Sequence, residues 1–184
     1  MYITVSELAA PEPSAKPEQA SFEDAQKTWP VSTTGVPDTP LTGWPAPGAL
    51  TQGFGCSSHY TGIRGPDCPG DRPWFHDGID IGAWPGAPVR AAVGGTIIFA
   101  GADGDGPPCG AYRGFGLGVV VDNGRGWQAL YAHLGEIKVS VGQVAEPDTV
   151  IGTVGQTGCS SGPHLHFGLR HNGELVDPTL AIGS

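Results

Sequence analysis

HLHFGLR, residues 164–170, alternates polar and apolar side chains through its first four positions and again at its last two. In an extended strand successive side chains point to opposite faces. His164, His166 and Arg170 then share one face, and Leu165, Phe167 and Leu169 share the other. This is the pattern of a half-buried strand whose apolar face packs inward. The two imidazoles stand on one side with Cα atoms roughly 6.6 Å apart, so both rings can reach one centre above the sheet. Taken alone, the HxH pair is as well explained by two surface histidines; the rest of the chain has to decide.

Outward from this stretch, short runs rich in Val, Ile and aromatics alternate with glycine turns: APVRAAVGGTIIFAG (87–101), LGVVVDNGRGWQALYAHL (117–134), TVIGTVG (149–155) and HLHFGLRHNGELV (164–176). Asn123-Gly124 and Asn172-Gly173 are hairpin signals between strand-like runs. No window carries a sustained helical period, so an all-β antiparallel domain is expected. The 31 glycines and 18 prolines fit short strands with many turns. Only 15% of residues are charged, and 9 basic against 18 acidic side chains leave a net charge of −9. That balance argues against nucleic acid or an anionic membrane as partner. No apolar run is long enough to span a bilayer.

Residues 1–45 read as a linker or N-terminal extension rich in Pro, Ser, Thr and acidic residues, with a short helix at 21–29 capped by Ser21 and boxed by Asp24. The domain proper is expected over 46–184. The opening MYITVSELAA lacks a basic region and is interrupted by Glu7, so it is not read as a signal peptide. None of the four cysteines, Cys56, Cys68, Cys109 and Cys159, falls in a CxxC pair. A zinc–thiolate knuckle is therefore disfavoured, and two disulfides formed in an oxidising compartment are expected.

Five histidines, His59, His76, His133, His164 and His166, precede the last hairpin. His76 and Asp80 lie four apart in FHDGIDIG (75–82). On a straight strand they would be about 13 Å apart, too far to share an ion. Gly78, Gly82 and Pro85 argue against a helix. A bend at Asp77-Gly78, permitted by the glycine, would let imidazole and carboxylate converge. His133 ends the second arm of the first hairpin in LYAHLG (130–135), where alternation puts it on one face with Tyr131. A catalytic zinc usually takes three protein ligands and keeps one position open. His76, Asp80 and one histidine of HxH supply three. His133 and the other HxH histidine then remain for proton transfer and for hydrogen bonds to a developing oxyanion or leaving amine. Spacing alone leaves open which HxH histidine binds metal. Three ligands without cysteine also argue against a closed structural zinc site.

HDGID (76–80), LYAHL (130–134) and GQTGCSSGPHLHF (155–167) resemble the signature of the M23 metallopeptidases, the LytM and lysostaphin-type zinc endopeptidases of peptidoglycan. The stretch from GFG (53–55) through FHDGIDIGAWPGAPVRAAVGGTI resembles that family's opening segment, and the likeness runs over residues 50–178. It implies a lysostaphin-like antiparallel sheet with a loop-walled groove, and Zn²⁺ held by His76, Asp80 and His166. It further implies His133 and His164 as the catalytic pair, and peptidoglycan stem peptides or cross-bridges as substrate. An extracytoplasmic monomer with no membrane span and no nucleic-acid partner is expected. Some relatives have lost ligands and act as activators of other wall hydrolases; no ligand is missing here, so catalysis is the expectation.

Two insertions depart from the family pattern: CSSHYTGIRGPDC (56–68), and DGDGPPCGAYRGFG (103–116), which holds Cys109. Cys56 and Cys68 flank one inserted turn and are expected to pair, leaving Cys109 for Cys159. The second bond would tie two segments that the family fold brings to the groove.

Overall fold

In the computed structural model, which describes residues 41–61, 64–103 and 114–182, the Val- and Ile-rich runs form antiparallel strands. In chain order they are β1 (Ala49–Gln52), β2 (Gly55–Ser57), β3 (Trp74–His76), β4 (Gly78–Gly82), β5 (Pro88–Arg90), β6 (Gly95–Ala102), β7 (Leu117–Asp122), β8 (Trp127–Ile137), β9 (Val144–Ala145), β10 (Val150–Val154), β11 (His164–His171) and β12 (Glu174–Val176). Ten belong to one sheet with the path β1-β4-β11-β8-β7-β6-β9; β10 joins β8 and β5, and β12 joins β11. β2 and β3 form a separate two-stranded ribbon. The expected all-β class stands. A single turn of helix, α1 (Pro178–Ala181), is started by the Asp177 side chain, which accepts from Thr179 N–H. Four residues are too few to register as a helical period. No helix among the described residues is long and apolar enough to cross a membrane.

Period-2 alternation builds the centre of the sheet. Ile79 and Ile81 of β4, Leu165, Phe167 and Leu169 of β11, Tyr131 of β8 and Val119 and Val121 of β7 are fully buried. They form one apolar layer, in which the Tyr131 hydroxyl accepts from Ala92 N–H at 2.8 Å. Both hairpin signals mark turns. Asn172 (φ 51°) and Gly173 (φ 85°) make a two-residue turn between β11 and β12, and its positive φ values are why Asn-Gly is used. The turn between β7 and β8 is longer, Asn123 to Gly126, and the Asn123 side chain accepts from Arg125 and Trp127 N–H.

Residues 1–40 of the expected linker, and with them the short helix, lie outside the described residues. The adjoining Thr42 and Pro45 are tied to the domain by Thr42 N–H donating to Ala92 O and by Arg90 N–H donating to Pro45 O.

Cys56 of β2 is bonded to Cys68, with Cα atoms 5.5 Å apart, as the local-loop argument expected. The Cys109–Cys159 expectation falls on Cys109, outside the described residues. The Cys56 bond closes a loop with a sequence separation of 12. Loops of that size restrict the unfolded chain by about 2–3 kcal/mol. A Cys56→Ser/Cys68→Ser variant should lose that much stability in urea or guanidinium unfolding; an unchanged midpoint would show that the bond does not staple the domain.

Candidate metal centre

The site face of the sheet lies opposite the apolar layer. His166 of β11 is paired directly with Asp80 of β4, and Phe167 with Ile79, so the register that buries Phe167 also sets imidazole beside carboxylate. His76 comes from elsewhere. It ends β3 in the ribbon, Asp77 turns the chain, and β4 begins at Gly78 in the large sheet. The anticipated bend therefore carries the chain from one sheet to the other. The role of Gly78 differs from the expectation: its φ is not positive. A Cβ there would lie 2.9 Å from Cε1 and Nε2 of His166 and 2.5 Å from Phe167 O. Glycine is required for space, not for backbone freedom.

Three donor atoms converge. His76 Nε2, Asp80 Oδ1 and His166 Nδ1 are each 3.1 Å from the other two. Tetrahedral zinc with bonds of about 2.0–2.1 Å separates its ligand atoms by about 3.3 Å, so this triangle is the size of one face of such a site. The tautomers also suit a cation. His76 Nδ1 lies 2.9 Å from Gly53 O, which can only accept, so the proton sits on Nδ1 and the Nε2 lone pair faces the centre. Two imidazole nitrogens and one carboxylate oxygen form a donor set with the softness and charge that zinc prefers.

Two further histidines border this triangle. His164 Nδ1 donates to Gly162 O at 2.8 Å, and its Nε2 lies 3.6 Å from Asp80 Oδ1. His133 Nδ1 donates to Thr157 O at 2.8 Å, and its ring centre is 4.6 Å from that of His164. In both, a carbonyl holds Nδ1–H and leaves the Nε2 lone pair free for substrate or water. Alternation had put His133 on the face of Tyr131; the structure corrects this. Tyr131 is in the apolar layer, whereas His133 stands beside His164 and His166. The cause is a bulge. Leu117 pairs with Leu134 and Val119 with Tyr131, so two steps on β7 face three on β8. His133 itself has φ 59°, a left-handed conformation rare for a non-glycine residue. Its N–H is held by Phe115 O. His59 is exposed, and no contact joins it to the cluster among the described residues.

Charge follows geometry. Burial opposes ionisation of Asp80, but hydrogen bonds from His166 and His76 outweigh it and hold the carboxyl well below the usual range. Burial would likewise lower His166; the carboxylates of Asp77 and Asp80 overcome it and push the metal-free ring up to about 10. His133 is driven down to about 3 by burial and by the neighbouring His166 and His164 rings, so it stays neutral at physiological pH.

Sequence reasoning missed two supporting residues. Thr157 presents the carbonyl that orients His133, and its hydroxyl donates to Leu134 O and accepts from Leu117 N–H. Asp77, read only as a bend residue, places Oδ1 3.4 Å from His166 Nε2. The available signal for the latter was an acidic residue directly after a suspected ligand.

The model of peptidase family M23 matches residues 74–178, more than half of the 184-residue chain. The chain belongs to peptidase family M23. Within that family it is 43% identical over 104 residues to the DD-carboxypeptidase/endopeptidase Mpg of Neisseria meningitidis; the match covers 56% of this chain and 22% of that relative. It is 33% identical over 128 residues to the murein hydrolase activator EnvC of Escherichia coli, covering 66% of this chain and 28% of that relative. The chain thus spans well under a third of the length of these curated relatives. Among solved M23 folds, the catalytic domain of the antimicrobial peptidase lysostaphin from Staphylococcus simulans superposes with a TM-score of 0.56 at 29% identity, covering 71% of this chain and 89% of that one. The nearly all-antiparallel sheet is the lysostaphin-like architecture expected of an M23 member.

Proposed function

We propose that the chain is a zinc-dependent endopeptidase that hydrolyses peptide bonds in peptidoglycan stem peptides or cross-bridges, working as a monomer outside the cytoplasm. The observation that carries this is the triangle of His76, Asp80 and His166 donor atoms with two carbonyl-anchored histidines beside it. In this reading those three residues hold the ion, and His133 and His164 are the catalytic pair. Zinc bound there supplies Lewis acidity, polarising a carbonyl and making water nucleophilic near neutral pH. The chain's own groups do the rest. The free Nε2 of His133 or His164 accepts a proton from the attacking water and returns it to the leaving amine, and the second ring hydrogen-bonds to the oxyanion. Both rings are held by main-chain carbonyls, so little reorientation is needed as charge develops.

The similarity to a protein named as a murein hydrolase activator favours a second reading, a regulatory module without activity of its own. The retention of all five side chains in working geometry supports the first. Digestion of purified muropeptides of several cross-link types, read by mass spectrometry, separates the two. New amine and carboxylate ends should form, should vanish after dialysis against chelator and should return with one equivalent of zinc. No cleavage of any cross-link type by the zinc-loaded chain would sink the endopeptidase reading in favour of the activator.

A further inference from the structure

We propose that Asp77 is a positioning residue of the metal centre, its carboxylate holding the Nε2–H of His166 so that Nδ1 is turned toward the ion. The inference rests on the reading of His166 as a ligand and adds a residue that this reading does not use.

Three observations carry it. The first is placement. Asp77 Oδ1 is 3.4 Å from His166 Nε2, and the two side chains are only 14% and 4% exposed. No group among the described residues meets that buried nitrogen in full hydrogen-bond geometry. The carboxylate is the acceptor facing it, and the separation exceeds an ordinary N–H···O bond by a few tenths of an ångström.

The second is direction. The contact is at Nε2, the nitrogen remote from the triangle, while Nδ1 faces His76 and Asp80. Asp77 therefore does not compete for the ion. It completes a carboxylate–histidine–metal series, in which the outer acceptor fixes the tautomer and ring orientation and raises the basicity of the ligating nitrogen. His76 has the same arrangement with a carbonyl, Gly53 O, as its outer acceptor. His166 thus receives the charged version.

The third is the pair of glycines that lets bend and ring approach each other. Gly168 of β11 is paired with Gly78 of β4, so neither of these two strands places a side chain on the site face at that level, between His166 and Arg170. Asp77, at the bend before β4, turns its carboxylate into this region. The ring it faces there is that of His166. A carboxylate this buried needs a polar partner, and the Nε2 of His166 is the one facing it, on the side of the ring away from the triangle.

The test compares zinc uptake by the intact chain and its Asp77→Asn variant, in competition with a chromophoric chelator. Asn keeps the shape and removes the charge. Affinity should fall about 10–100-fold, as for other outer-sphere partners of ligating histidines. The visible absorption of the Co²⁺-substituted variant should shift from that of the parent, which mere loss of stability would not produce. Asp71→Asn, an exposed change in the ribbon's loop, should leave both readings unchanged. In the zinc-loaded parent, a slowly exchanging downfield proton should appear on His166 Nε2 by long-range ¹H–¹⁵N correlation, and this holds even if Asp77→Asn does not fold. Equal zinc affinity and an unshifted cobalt spectrum in Asp77→Asn overturn the proposal alone, as does a His166 Nε2 that carries no proton or one in free exchange with water. A parent that binds no zinc overturns the metal-site reading itself, and this proposal with it.

Discussion

His166→Ala and Asp80→Ala should each give a protein that no longer retains zinc through desalting, with peptide hydrolysis expected to fall by about 10⁴-fold or more, since on the proposed reading Lewis acidity and nucleophile activation are lost together. The three donor atoms form a triangle with equal sides of 3.1 Å, and either substitution deletes a corner. Two remaining ligands cannot enforce the geometry, and loss of Asp80 also removes the only anionic donor among the three. Elemental analysis gives the metal content, and far-UV circular dichroism shows whether the sheet survives. A variant that keeps one zinc per chain would mean that the ion is held elsewhere.

His133→Ala separates chemistry from metal binding. The imidazole stands beside the triangle without belonging to it, held through Nδ1 by Thr157 O. Its removal should leave the zinc content at one per chain and lower kcat by about 10²–10⁴-fold, the range for a positioned acid–base group or an oxyanion donor. Zinc content that drops as far as in His166→Ala would show the role assignment to be wrong. Full activity with metal retained would leave His133 no part in the chemistry.

Much of this centre was legible because it sits on regular strands. Where HLHFGLR alternates without interruption, period-2 reading put His164 and His166 on one face and Leu165 and Phe167 on the other, and the pairing of β11 with β4 has that register. The bend at Asp77 was legible too, since His76 and Asp80 could meet in no other way. What escaped reading depends on irregularity. The extra residue that turns His133 to the site face leaves no mark in composition, because a bulge is a mismatch between two strands and neither records it alone. Gly78 was given the right residue type for the wrong reason: what it avoids is a collision with a ring 88 positions later in sequence. Asp77 was overlooked because an acceptor on the far side of a ligand has no characteristic spacing. Its partner is named only by the fold.

The position of β11 in the sheet governs when a centre can exist at all. This strand pairs with β4 on one side and β8 on the other, and both partners precede it in the chain. His166 meets Asp80 across 86 residues and His76 across 90. A nascent chain that has not released residues 164–171 therefore has two central strands with bare edges and a metal triangle lacking one corner. Contacts of such long range form late and slowly. Until they form, the open edges of β4 and β8 invite pairing with other chains. Closure of the donor triangle and protection from aggregation thus arrive in the same step, as β11 docks between its neighbours.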